Sequence, residues 1–143
     1  MAEREIDNRF CKFGTVSFTG LTRVNDFIDY LEQGKVMGTE CKDCGQKYFP
    51  PRADCCKSLA SDMEWFEVTG PGTLLSFSTL SYAPVGFGPE LPYTIAVVGY
   101  GEYKVFGRID KSIPVEALSV GMKLKTTACR LSEGKVSYVF QAA

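Results

Sequence analysis

Four of the chain's six cysteines fall within the sixteen residues 41–56, CKDCGQKYFPPRADCC. So short a thiol-rich stretch cannot bury a core of its own, and something other than burial must hold it. Cys41 and Cys44 stand three positions apart, the spacing at which two thiolates grip one ion, and Gly45 permits the positive φ that such a turn needs. The second half departs from this pattern. Cys55 is followed directly by Cys56, and the position that completes a second C-x-x-C is Ser58. Adjacent cysteines reach one tetrahedral ion only through an unusual backbone turn. Asp54 and Cys11 are the substitute donors within reach by sequence.

Spacing leaves four readings open. Cys41, Cys44, Cys55 and Cys56 can hold a structural zinc ion, or iron, since a tetrahedron of thiolates suits either metal. The C-x-x-C can be a redox pair, although it lacks a βαβ context. The ribbon can also have lost its metal. Structural zinc is the expectation, with a binding energy of ~10–16 kcal/mol that would fold the segment. Of the other thiols, Cys129 sits in a strand-like run where a cysteine acts as a small hydrophobe, and Cys11 reads as a surface or packing thiol.

The chain has no histidine. Ser-His-Asp and Cys-His chemistry are therefore excluded from this chain acting alone, and any metal here is expected to be structural rather than catalytic. Formal net charge is −1, without the basic surplus of a phosphate-backbone binder, so no nucleic-acid partner is expected. Residues 1–14, MAEREIDNRFCKFG, carry no apolar core or small-residue cleavage site, and no run of eighteen apolar residues exists. No signal peptide or membrane span is read. The expected address is cytoplasmic, where thiols stay reduced.

Residues 22–34 read as an amphipathic helix with Val24, Phe27, Ile28 and Leu31 on one stripe, Thr22 as N-cap and Gly34 at the C-terminal turn. That stripe must dock on its own domain or on a partner. Asp26, Asp29 and Glu32 read as a solvated face. From Trp65 onward five β-branched and aromatic runs, at 72–82, 92–101, 103–110, 123–131 and 135–141, are separated by turn residues. PVEALSVG, residues 114–121, is long enough for one helical turn after the third run. The expected fold is mainly β: an N-terminal helix plus rubredoxin-like zinc ribbon, followed by a five-stranded OB-fold barrel. Its expected division is an extension over 1–21, helix and ribbon over 22–62, and barrel over 63–143. The loop SYAPVGFGPELPY, residues 81–93, is more apolar than a solvated connection, so it meets a partner or ligand or folds back over the barrel's open end.

From about residue 22 to 140 the order of helix, CKDCGQKYFPPRADC, GPGTLLSFSTL, PYTIAVVGY and VGMKLK resembles the zinc-ribbon/OB-fold proteins associated with acyl-CoA enzymes. The C-x-x-C-G with F-P-P-R and a following cysteine is the specific part. The family's ribbon ends C-P-x-C, where this chain has Cys55-Cys56 and Ser58. The resemblance implies a small non-catalytic subunit that pairs with a thiolase-fold catalytic subunit in a hetero-oligomer and helps bind acyl-CoA. Coenzyme A carries phosphates, so Lys47, Arg52 and Lys57 are the candidate contacts; arginine suits a phosphate by its bidentate fork. Two other classes stay open: an OB-fold module for single-stranded nucleic acid, and a small iron electron carrier.

Overall fold

Apolar residues three and four apart share one helical face, and Phe27, Ile28 and Leu31 are all buried in helix α1 (Asp26–Glu32). The computed structural model describes residues 6–16 and 22–143; of the extension expected over 1–21, residues 1–5 and 17–21 lie outside the described residues. Helix α1 ends as expected at Gly34, whose φ is +83°. The N–H of Gly34 donates to Leu31 O and that of Lys35 to Tyr30 O, a Schellman closure. Its start differs from expectation. Thr22 is not the N-cap: its Oγ1 accepts from the Val24 N–H at 3.3 Å, and Asn25 precedes the helix without a capping side chain. The N–H groups of Phe27 and Ile28 donate instead to the carbonyls of Val24 and Asn25, so a tightened first turn does the work of a cap. The acidic face is also occupied. Arg9 bridges Asp26 and Asp29, and Lys12 reaches Glu32, so these carboxylates hold the 3-10 turn Arg9–Lys12 against α1.

Three antiparallel strands form the ribbon. β1 (Met37–Cys41) lies between β2 (Lys47–Tyr48) and β3 (Met63–Glu67), with Thr39 opposite Tyr48 and Cys41 opposite Met63. The strand starting at Met63 thus pairs with the ribbon, and the barrel's own strands begin at Gly72. Gly38 is required by close approach: a Cβ there would stand 2.5 Å from Tyr48 O and 2.6 Å from the Phe66 ring.

Five strands then close a barrel: β4 (Gly72–Leu80), β5 (Tyr93–Gly99), β6 (Lys104–Ile109), β7 (Lys123–Arg130) and β8 (Val136–Ala142), in the order β4-β5-β6-β8-β7. The first four lie inside the runs read from the sequence, and β8 matches the fifth but runs one residue past it, to Ala142. The pairing is antiparallel except between β6 and β8, where Arg108 faces Val139 and Ile109 faces Phe140 in parallel. This closed topology with one parallel seam is the OB-fold. Period-two alternation explains the interior: Thr94, Ala96 and Val98 of β5 are buried and their neighbours are partly exposed. Leu74, Val105, Leu124, Val136 and Phe140 complete the core. The turn expected after the third strand is a 3-10 turn at Val115–Ala117.

Helix, ribbon and barrel meet in a chain of rings. Phe27 packs on Phe10, Phe13 and Phe49, and Phe49 stands edge-on to Tyr138 of β8 at 5.3 Å. The apolar helix stripe is therefore spent on its own chain. Among the described residues no helix is long and apolar enough to cross a membrane.

Candidate metal centre

The C-x-x-C turn follows β1 directly. Cys41 is the last residue of that strand, its N–H donates to Gln46 O at 2.9 Å, and the Gly45 N–H returns to Cys41 O at 2.8 Å. Gly45 has φ +76°, the conformation expected for it. Cys55 arrives from the opposite side on the 49–62 connection and is buried like Cys41. The sulfurs of Cys41, Cys44 and Cys55 all lie within 4.8 Å of one another, with Cys44 and Cys55 at 3.5 Å. A tetrahedral zinc ion with Zn–S bonds of about 2.3 Å spaces its sulfurs by roughly 3.8 Å, so this donor set fits the ion. Bound there, zinc would tie the end of β1 to the 49–62 connection and replace a core that the ribbon lacks.

The other expected donors lie elsewhere. Cys56 is exposed and outside the trio; its Sγ is 3.2 Å from the Tyr48 hydroxyl, which also accepts from the Cys56 N–H at 3.1 Å. Asp54 and Cys11 are not in the group either. Ser58, which the sequence marked only as a departure, places its Oγ 3.3 Å from Cys41 Sγ. Tyr48 had no signal in the sequence, yet its hydroxyl lies 3.3 Å from Cys55 Sγ.

These contacts set the electrostatics of the sulfurs. The Ser58 N–H, followed by the Tyr48 hydroxyl and the Ser58 side chain, lowers the Cys55 thiol to about 5. The Gln46 N–H favours the Cys44 thiolate, but the hydrogen bond with Cys55, desolvation and nearby Cys41 leave that pKa raised. The Tyr48 phenol is raised by the adjacent sulfurs of Cys55 and Cys56.

The basic candidates are dispersed. Lys47 pairs with Glu102 of the β5–β6 turn at 2.8 Å and lies over the Phe66 ring, linking ribbon to barrel. The Arg52 backbone is locked on Thr39, whose Oγ1 accepts from Arg52 N at 2.7 Å, while its guanidinium lies over the Tyr48 ring. Lys57 is exposed in the turn beside Cys56. The apolar loop divides. Tyr82 and Val85 are 87% and 98% exposed, whereas Phe87 and Tyr93 flank the Arg108 guanidinium at 5.2 and 4.2 Å. Beneath them a cavity of about 390 Å³ opens at the barrel end, with Glu90, Arg108 and Lys111 among its walls.

Glu90 fixes that loop. Burial opposes its ionisation, but the Thr15 hydroxyl and the Arg108 guanidinium, each at 2.5 Å, hold its pKa below the ordinary value. A lowered folded pKa contributes stability that is complete above the unfolded carboxylate value of about 4.3 and is lost as pH falls through the folded one. Glu90→Gln is therefore expected to cost about 1.5–3 kcal/mol near neutral pH in urea unfolding. The difference from the parent should close as pH falls below the unfolded carboxylate value and on through the lower folded one. A cost that stays constant with pH would mean the charge contributes nothing.

Comparison with known proteins agrees with this architecture. Residues 29–64 match the rubredoxin-like zinc ribbon domain of ChsH2, and residues 65–128 match the ChsH2 C-terminal OB-fold domain. A DUF35 domain-containing scaffold protein of Methanocaldococcus jannaschii is 30% identical over 112 residues, covering 74% of this chain and 79% of the relative. The chain belongs to the DUF35 scaffold-protein family. A second DUF35 scaffold protein, from Pyrococcus furiosus, is 24% identical over 104 residues, covering 73% and 76% of the two chains. The fold recurs in the solved Ltp2-ChsH2(DUF35) aldolase, with TM-score 0.68 and 19% identity over 80% of this chain and 89% of that one. It recurs again in a DUF35-family protein of Sulfolobus solfataricus, with TM-score 0.52 and 18% identity over 81% and 83%. Within the DUF35 frame, the ribbon and the barrel as far as residue 128 are the parts matched, and residues 1–28 and 129–143, with β8, lie outside both domain models.

Proposed function

We propose that this DUF35 chain is a non-catalytic accessory subunit of a cytoplasmic acyl-CoA thiolase complex, with a zinc-bound ribbon and a barrel that together support a thiolase-fold catalytic subunit. Membership of a family whose relatives are named scaffold proteins carries the reading. Two features of the chain support it. Thiolytic cleavage needs an activated cysteine and an acid–base partner, and a chain without histidine supplies at most the thiol. The loop tip bearing Tyr82 and Val85 presents apolar side chains to solvent, as a subunit interface does before its partner docks. The structural neighbour, named Ltp2-ChsH2(DUF35) aldolase, supports an assembly of this kind, a DUF35 chain together with a second protein.

The acyl-CoA proposed for the complex is benzoylsuccinyl-CoA, cleaved in anaerobic toluene degradation. The resemblance to small subunits of such thiolases is its support. Native pull-down of the tagged chain from its source cells, followed by mass spectrometry and metal analysis, tests the assembly. A stoichiometric thiolase-fold partner with one zinc per chain is the expected result, and a chain recovered alone would sink the reading. Thiolysis of benzoylsuccinyl-CoA set against a simple 3-ketoacyl-CoA then tests the substrate.

Arg52 and Lys57 are the proposed contacts to the phosphates of coenzyme A, with Lys47 reaching them only by leaving Glu102. Arg52→Ala is expected to weaken acyl-CoA binding by the complex roughly tenfold, the loss of one charge-assisted contact. Unchanged affinity, read by calorimetry on the assembled complex, would remove Arg52 from the site.

A further inference from the structure

Two turns approach the sulfur cluster, and their backbones repeat each other. In the first, the Cys41 N–H donates to Gln46 O, five residues on, at 2.9 Å; in the second, the Cys55 N–H donates to Ala60 O, also five residues on, at 2.9 Å. The Gly45 N–H returns to Cys41 O at 2.8 Å, and the Leu59 N–H returns to Cys55 O at 3.0 Å. Gly45 has φ +76° and Leu59 has φ +60°. A left-handed leucine is costly, and this one is 82% exposed, so packing does not explain it. The turn itself demands that conformation.

The repeat fixes a correspondence by position. Cys55 stands where Cys41 stands, Cys56 where Lys42 stands, and Ser58 where Cys44 stands. The donors that face the ligand positions also match: the Gln46 N–H bonds Cys44, and the Ala60 N–H bonds Ser58 Oγ at 3.3 Å. Ser58 Oγ lies 3.3 Å from Cys41 Sγ, at the cluster, while Cys56 is turned out to the Tyr48 hydroxyl.

We propose that Ser58, not Cys56, completes the metal site, giving a donor set of three thiolates and one hydroxyl oxygen with Cys56 as a non-ligating thiol. This rests on the reading of the ribbon as a metal site. The hydroxyl is a harder donor than a thiolate, and zinc accepts oxygen beside sulfur. Three thiolates leave the loaded centre one negative charge lighter than four. The Cys55-Cys56 adjacency then needs no unusual turn, because only the first of the pair ligates.

Cobalt(II) replaces zinc in thiolate sites and reports each metal–sulfur bond through its charge-transfer absorbance. The full chain, stripped and reloaded with cobalt, is compared with Cys56→Ser, Ser58→Cys and Ser58→Ala. Cys56→Ser is expected to leave the band at parent intensity, and Ser58→Cys to raise it by about a third, as three thiolates become four. Ser58→Ala should keep the three-thiolate band and weaken zinc affinity by about tenfold or more in chelator competition. Alkylation of the zinc-loaded chain should label Cys56 and spare Cys55. A loss of about a quarter of the band in Cys56→Ser, with no gain in Ser58→Cys, would assign the fourth place to Cys56 and overturn the proposal. Failure of every variant and the parent to take up cobalt or zinc would overturn the metal reading itself, and this inference with it.

Discussion

Removing zinc is expected to unfold the ribbon over residues 37–67 while the barrel keeps its fold. The three ribbon strands are five, two and five residues long, and the residues buried among them are few: Met37, Gly38, Thr39 and Cys41, with Pro51 and Cys55 on the connection. A unit this small does not repay its chain entropy by burial, and below about 40 residues a metal or disulfide normally does so. The three sulfurs are free thiols, so the metal is the remaining staple. Its apparent binding energy of ~10–16 kcal/mol exceeds anything the local hydrogen bonds supply. The barrel has its own interior in Leu74, Val98, Val105, Leu124, Val136 and Phe140, none of which belongs to the ribbon. Hydrogen exchange read by mass spectrometry, with and without a strong chelator, separates the two units. Protection should vanish across β1 and the Cys55–Leu59 turn and persist in β5 and β7. Cys55→Ala should reproduce the chelated pattern with the metal present. Ribbon amides that stay protected without metal would show that packing through Phe49 and the Lys47–Glu102 pair is sufficient to hold it.

The barrel was legible because alternation carries its own register: a run such as Thr94, Ala96 and Val98 has one face inward whichever strands flank it. The first cysteine turn was legible for a similar reason, since Gly45 is local evidence of the conformation it adopts. The second turn was not. Residue type pointed to Cys56 as a donor, whereas the turn closed by the backbone bonds of Cys55, Leu59 and Ala60 brings Ser58 Oγ to 3.3 Å from Cys41 Sγ. Leu59 hides that turn in the sequence, because leucine gives no signal of a positive φ. Tertiary pairing defeats local reading in the same way at α1. Asp26, Asp29 and Glu32 look like a solvated face until Arg9 and Lys12, about twenty residues upstream, are brought against them. Of the two readings of the loop at 81–93, the structure bears on the one in which it folds back, and only part of the loop does so. Phe87 folds over the barrel end around Arg108, and Tyr82 and Val85 face solvent.

Phe140→Ala is expected to cost about 3–5 kcal/mol, the largest effect of any single barrel substitution proposed here. Phe140 is fully buried and lies on β8 where two ladders meet: it faces Thr126 of β7 and, across the parallel seam, Ile109 of β6. The seam is short, with two paired positions and the Asp110 N–H donating to Phe140 O at 2.9 Å, so side-chain packing must hold it shut. Gly107 shows how closely that packing is drawn. A Cβ at 107 would stand 2.8 Å from the Tyr138 ring and 3.2 Å from the Phe140 ring, so the glycine on β6 exists to admit these rings of β8. Truncating Phe140 leaves a void that Gly107 has no side chain to fill, and the neighbouring strands can collapse into it only by breaking the seam. Chemical denaturation should therefore show a lower midpoint with an unchanged slope if the closed barrel survives around the cavity. A reduced slope would mean instead that β8 has come away from β6, which would make the parallel seam, rather than the volume of the ring, the element on which closure of the barrel depends.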